Sequence, residues 1–378
     1  MRDQPSTSAK KIATLLAGTQ FHATGKVKGL DWYRVVTDTG EEGFVFGGLV
    51  ATEGGEAAAK EEAKEKPMSV APVGTWELVT PFPENSFEVR NLEQFADDVR
   101  EATNGALAIA VLSTPTIKAA DIRQTVAAGR APAGSFFLSD LGASNPLFEV
   151  DNVPFLATTY FEAQALWEAS RPALQRLLEA DGVYVAFAIA HPPRGIFTRR
   201  QIWRMDDFKG MRIAVDHPLM ARFATYLEAS PTEAELKLNQ AFSEKRIDGV
   251  FASMPVGVAE SLWQSVPAFY DLALALPKSV LVFNQAAYQG LPAQIQTAIL
   301  NAMTAARNNG WQASAVASNE SIGVLRSKGM IVGMVPSEVA EPLKSIGTKM
   351  EREWLKRAGG DGQAILDAYR RSTTAAKQ

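Results

Sequence analysis

The rhythm of apolar and polar positions changes twice along this chain. Over the first fifty residues, short β-prone runs at 12–15, 20–24, 32–36 and 43–46 are separated by turns containing Gly and Asp, which predicts a small all-β unit over 1–50. Residues 56–66 show no apolar stripe; they consist of Ala, Glu and Lys and end at Pro67. Glu56 with Lys60 and Glu62 with Lys66 are favourable i,i+4 pairs, and alanine suits a helix. Such segments act as semi-rigid spacers at ~1.5 Å per residue where helical. Residues 51–73 therefore read as a linker, either a stiff spacer or a frayed, solvated one.

From Trp76 the pattern becomes strand–helix alternation. Residues 76–80 read as a strand. Asn91, with Gln94 three positions on, predicts a capped helix start. Leu92, Phe95, Ala96 and Val99 give that helix its apolar stripe, and Asn104-Gly105 its end. A buried strand follows at 107–111, a helix at 119–128 closing on Gly129, and an apolar strand at 183–190. Much later, 293–309 is a long alanine-rich helix with Ile295, Ile299 and Met303 on one stripe. The alternation implies a mainly parallel sheet with helices on its faces, here filling 74–378.

Composition narrows the classes. With 378 residues, 46% hydrophobic and 21% charged, the chain has room for two or three domains. A net charge of -4 gives no basic field, so no nucleic-acid partner is expected. The absence of cysteine excludes disulfides, thiolate metal sites and cysteine nucleophiles, and suits cytoplasm and periplasm alike. No apolar run approaches the ~20 residues of a membrane-spanning helix. Residues 1–5 lack the apolar core of an export signal.

Signals of catalysis are weak, and neither an enzyme, a cofactor nor a metal site is expected. There is no G-x-S-x-G elbow. Where a dinucleotide fingerprint would follow the first α/β strand stands Pro81-Phe82-Pro83-Glu84-Asn85-Ser86. Thr24-Gly25-Lys26 is followed by Val27, not by the Ser or Thr that a phosphate loop needs for magnesium. His22, His191 and His217 show no metal-ligand spacing. His191 stands at a strand end, where α/β folds place ligands, though a structural role is the plainer reading. Asp216 and His217 are adjacent on an extended segment and so point to opposite faces, which argues against a local dyad. Asp97-Asp98 and Asp206-Asp207 read as solvated or capping pairs.

The segment Asp206-Asp207-Phe208-Lys209-Gly210-Met211-Arg212-Ile213-Ala214-Val215 resembles the D-L-K-G-x-K-x-R-V strand of TRAP transporter solute-binding proteins (DctP-like, extracellular solute-binding family 7). The resemblance runs from about Trp76 to about Tyr369. Thr103-Asn104-Gly105, Val153-Pro154-Phe155-Leu156, Arg194 through Arg200 and Ile247-Asp248-Gly249-Val250 are similar to further family segments in the same order. At the front, Gly18-Thr19, Trp32-Tyr33-x-Val35 and Gly43-Phe44-Val45 resemble a bacterial SH3 domain whose first strand is reduced to Met1-Arg2. Trp32 and Tyr33 offer either a peptide-binding surface or core filling there.

The resemblance implies an α/β fold of two lobes, the type II-like periplasmic-binding-protein fold with a hinge and a long helix, behind a small all-β SH3-like barrel. It also implies a ligand enclosed between the lobes. Arg194 matches a site arginine of the family, against the alternative of a lobe–lobe salt bridge. Ala214 stands where the family's anion-gripping arginine belongs, and Arg212, two residues earlier on the same face, is a weaker substitute. His217 matches a polar site position. Where many members continue the V-D-G step with Q-E-N, this chain continues Val250-Phe251-Ala252-Ser253, which makes Phe251 and Ser253 candidate contacts. Phe137, Ser139 and Phe155 lie near cleft-lining segments, with core packing the plainer reading for both phenylalanines. Ser86 is a turn residue or a ligand contact.

These departures make the expected pocket more apolar and less cationic than a dicarboxylate site. The resemblance thus implies a periplasmic receptor, its export signal expected upstream of this chain or removed from it. Its ligand would be a small organic acid, a monocarboxylate with an apolar body, delivered to the membrane permease subunits of a TRAP system. A cell-envelope sensor is the alternative, its SH3-like domain engaging peptidoglycan or an envelope protein.

Overall fold

The computed structural model describes Met1, Ile12 and residues 21–27, 32–37, 42–46, 73–233 and 237–375. The chain divides into two compact units, Met1–Pro67 and Met68–Gln378. In the first, β1 (Phe21–Lys26), β2 (Trp32–Thr37) and β3 (Glu42–Phe46) form an antiparallel sheet in that order. Trp32, Val35 and Val45 are buried, while Tyr33 is half-buried with the Lys26 ammonium 5.3 Å from its ring centre. The expected strand at 12–15, apart from Ile12, and the spacer at 56–66 lie outside the described residues.

The second unit holds two sheets, one per lobe. The first lobe contains β4 (Gly74–Thr80), β5 (Leu107–Ser113), β6 (Ala133–Phe137), β7 (Val183–Ala190) and β13 (Lys278–Asn284), in the order β5-β4-β6-β13-β7. The second contains β8 (Arg194–Thr198), β9 (Arg212–Val215), β10 (Ser230–Glu233), β11 (Gly249–Ser253), β12 (Ala268–Tyr270) and β14 (Ile331–Gly333), in the order β10-β9-β11-β8-β12-β14. In the first sheet β4 runs parallel to β5 and β6, and only β13 opposes its neighbours. In the second, β8 opposes both β11 and β12. The reversed strands are the two entered from the other lobe by a short connection: β8 follows β7 through residues 191–193, and β13 follows β12 through residues 271–277. Both crossings lie at the edge where the parallel strands of each sheet end.

Nine α-helices accompany the sheets: α1 (Phe87–Ala102), α2 (Ala119–Ala127), α3 (Tyr160–Glu179), α4 (Pro218–Tyr226), α5 (Leu238–Ser243), α6 (Met254–Ala259), α7 (Gln285–Gln289), α8 (Ala293–Ser327) and α9 (Ser337–Ala375) among the described residues. The expected start of α1 at Asn91 is corrected. Ser86 caps the helix, its Oγ accepting from the Val89 N–H at 3.2 Å, and Asn91 is buried inside it. The Asn91/Gln94 spacing imitates a capping box, but the extended backbone that a cap needs occurs at Ser86. α1 ends as expected, with Asn104 (φ 50°) and Gly105 (φ 77°) left-handed.

α8 runs 35 residues, well past the expected end at Asn309. Its buried stripe continues through Gly310, Ser314, Ser318 and Ser321, small residues that carry no apolar signal in the sequence. They let the helix lie against α1 and β7 in one lobe and α6 in the other, so α8 spans both. α9 breaks at Gly359 (φ 64°) and packs on α3, with the Trp354 indole donating to the Pro146 carbonyl at 2.7 Å.

Candidate functional site

A cleft of about 590 Å3 lies between the strand edges where the chain crosses from lobe to lobe. Ligands of open α/β sheets sit beyond the carboxyl ends of strands, and both sheets offer such ends here. The first lobe contributes Phe82 after β4, Ser86 and Glu88 at the start of α1, Phe137 at the end of β6 and His191 after β7. The second contributes Arg194 at the start of β8, Asp216 after β9, and Phe251 and Ser253 from β11. Val256 and Val258 of α6, with Glu320 and Val324 of α8, close one side. The walls are mostly apolar, interrupted by a few charges, as small-molecule sites are.

Arg194 is held firmly. Its backbone N–H donates to the Ala275 carbonyl at 3.0 Å, and its own carbonyl accepts from the Leu274 N–H at 2.9 Å, so both crossings grip it. Gly195 follows because a Cβ there would strike the Phe269 ring and the Tyr270 carbonyl. The Arg194 side chain is only 9% exposed, and its Nη1 donates to both oxygens of Asp216 at 2.6 and 2.7 Å. Its Nε is buried without a hydrogen-bond partner among the described residues. Asp140, nearby, keeps an exposed surface although protein crowds its carboxyl. Loss of solvation, then repulsion from Asp216, pushes its carboxyl up to about 6 against the opposing pull of Arg194.

Across the cleft, the Nδ1 of His191 lies 2.9 Å from Glu88 Oε1, and its Nε2 lies 2.9 Å from Ser279 Oγ. Burial pushes the Glu88 carboxyl up, but attraction and hydrogen bonding from His191 outweigh it and hold the group below the usual range. Glu88 is therefore ionised at neutral pH, and His191 Nδ1 carries a proton. Phe82, Phe87 and Phe137 surround the imidazole with centroids 5.4, 5.4 and 4.3 Å away.

Of the residues singled out from the sequence, Arg194, Phe251, Ser253, Phe137 and Ser86 line the cleft. The other four stand away from its walls. Arg212 is a surface residue whose Nε and Nη2 bind Asp248, both at 2.9 Å. His217 caps α4: its Nδ1 accepts from the Leu219 N–H at 3.1 Å, so Nε2 carries the proton and donates to the Ser139 carbonyl at 3.1 Å. That bond ties Ser139, in the turn after β6, to the other lobe. Burial pushes the His217 imidazole below its ordinary value. Phe155 has left-handed backbone (φ 60°) and packs its ring on Phe223, 6.0 Å between centroids. Ala214 is fully buried in the apolar core of the second lobe with Phe197, Phe242 and Val250.

Sequence reasoning missed Glu88, Asp216 and Phe82 as cleft residues, and favoured a structural role for His191. A signal existed for Asp216 and His191, because each directly follows a strand that ends at the cleft. Among the described residues no group of three or more His, Asp and Glu could hold a metal ion. No described helix is long and apolar enough to cross a membrane.

The family model for bacterial extracellular solute-binding protein, family 7, matches residues 78–357, and that for the bacterial SH3 domain matches residues 1–51. The chain belongs to the bacterial extracellular solute-binding protein family 7 and carries a bacterial SH3 domain in front of it. DctP7, a Bordetella pertussis extracytoplasmic solute receptor binding pyroglutamic acid, is similar at 36% identity and TM-score 0.75, over 79% of this chain and 99% of that one. DctP6 of Bordetella pertussis, also binding pyroglutamic acid, is similar at 32% identity and TM-score 0.75, over 79% and 100%. A marine metagenome TRAP solute-binding protein specific for pyroglutamate is similar at 28% identity and TM-score 0.74, over 79% and 99%. No curated protein matches the chain.

Proposed function

We propose that this chain is a periplasmic receptor that encloses a small cyclic monocarboxylate of the pyroglutamate type between its lobes and hands it to a TRAP-type membrane permease. The observation that carries this reading is Arg194: a buried guanidinium with an unpartnered Nε, facing an otherwise mainly apolar cleft. A guanidinium binds a carboxylate through two parallel hydrogen bonds. Asp216 already offsets part of its charge, which suits one carboxylate better than two. Phe137, Phe251 and Val256 offer apolar surface to the body of such a ligand. The pyroglutamic acid bound by the two Bordetella pertussis receptors fits that description.

Binding here is a change of population rather than chemistry. A ligand that touches both lobes does so only when they are closed, and it stabilises that state by its differential affinity. Isothermal titration of the purified chain with pyroglutamate and with four- and five-carbon dicarboxylates tests the proposal. Pyroglutamate is expected to bind and to raise the melting temperature by mass action. Tighter binding of the dicarboxylates would overturn the reading.

A further inference from the structure

We infer that Glu88 reads a hydrogen-bond donor on the ligand, so the cleft selects a monocarboxylate that also carries an N–H group, a cyclic amide in preference to a ring of the same shape without that proton. The inference rests on the receptor function proposed above and adds the second half of the recognition. The charges facing the cleft are its starting point. Glu88, Asp216 and Glu320 face the cleft beside Arg90, His191 and Arg194, so a site proposed for an anion also carries three acidic side chains. A ligand with nothing but acceptors would leave those carboxylates unanswered.

Two of the carboxylates are poor readers. Asp216 is 48% exposed and has both oxygens on Arg194 Nη1. Glu320 belongs to an exposed face of α8. Glu88 differs in each respect. Its side chain is 10% exposed, it stands on the lobe opposite Arg194, and its partner His191 is enclosed by Phe82, Phe87 and Phe137. A carboxylate offers about four acceptor positions. His191, the residue's own backbone N–H and Ser86 take three of them, which leaves one for a ligand. In such a poorly hydrated place an N–H donor is rewarded and an acceptor repelled, because water cannot make good the mismatch.

The experiment compares two ligands on the unmodified full chain: pyroglutamate and the lactone acid of the same ring, in which oxygen replaces the N–H. Pyroglutamate is expected to bind at least roughly tenfold tighter. Glu88→Gln, whose amide can donate as well as accept, is expected to narrow that ratio toward one while Arg194 still holds the carboxylate. Equal affinity of the native chain for the two acids would overturn the role of Glu88 and leave the receptor reading intact. Binding of neither acid would overturn both. Should Glu88→Gln fail to fold, the comparison of ligands on the native chain still decides.

Discussion

Asp216 holds Arg194 through a single nitrogen, with Nη1 at 2.6 and 2.7 Å from the two carboxylate oxygens. That end-on grip fixes the guanidinium without covering its Nε–Nη2 edge, the fork that a second carboxylate would use. Arg194→Ala should therefore lower pyroglutamate affinity by about 2–4 kcal/mol. Arg194→Lys keeps the charge but not the fork and should still lose roughly tenfold. Because Asp216 is half exposed, its desertion should change the melting temperature of the unliganded protein little. Titration calorimetry beside thermal melts reads both effects. Unchanged affinity in Arg194→Ala would remove the arginine from the site.

The resemblance that named the family also posed a question about Ala214, and the second lobe answers it. Ala214 is fully buried among Phe197, Phe242 and Val250, so no space is prepared for a longer side chain. Ala214→Arg would bury an unpaired charge and overpack the core, at a cost of about 3 kcal/mol or more. The expected outcome is a lower melting temperature, or failure to fold, with no new affinity for dicarboxylates. A stable Ala214→Arg variant that gained dicarboxylate binding would show that the strand still presents this position to the ligand.

Much of the architecture was legible because local signals and tertiary demands agree. The strand at 183–190 was readable from an unbroken apolar run that is buried from both sides, and Asn104-Gly105 marked a turn that needs left-handed backbone. α8 was legible only as far as its large apolar residues. Beyond Asn309 the helix is specified by close approach, which small residues permit but do not announce. The site divides along the same line. Arg194 could be found because a motif surrounds it, whereas Glu88 has no motif and gains meaning only when His191, about one hundred positions later, is folded against it. Arg212 was drawn toward the cleft by strand alternation, yet Asp248, directly before the neighbouring strand β11, claims its guanidinium.

His217 gives the protein a defined response to acid. Burial is the largest cause of its lowered pKa, reinforced by the positive charge of Arg194 and opposed by the Ser139 carbonyl, Glu149 and Asp216. The unfolded chain takes up a proton near the ordinary value of 6.5 while the folded chain does not. Stability from this group is thus complete above pH 6.5 and is lost as pH falls through it toward the folded value. Asparagine caps a helix as well as histidine here and does not titrate. Melting curves of the native chain and His217→Asn at pH 7.5 and 5.5 should show the native chain's advantage shrinking at the lower pH. A constant difference would mean that the imidazole is not held neutral.

Two glycines of α8 should respond to the same substitution with opposite sign. Exchanging Gly for Ala inside a helix gains about 1 kcal/mol where space allows, because the unfolded chain loses freedom. At Gly323 a Cβ would meet nothing within 4 Å, so Gly323→Ala should raise the melting temperature. At Gly310 a Cβ would come within 2.5 Å of Ile189 Cγ2 and 2.9 Å of Asn91 Nδ2. Ile189 is a buried, β-branched residue of β7 and Asn91 is buried inside α1, so both side chains have little room to turn away. Gly310→Ala should therefore be destabilising by about 1–3 kcal/mol despite its better helix propensity. Because Ile189 lies two residues before His191, the same variant should also weaken ligand binding, whereas Gly323→Ala should not. Denaturant titrations with and without pyroglutamate separate the two effects, and a stabilised Gly310→Ala would show that α8 does not lie as close to β7 as its small residues allow.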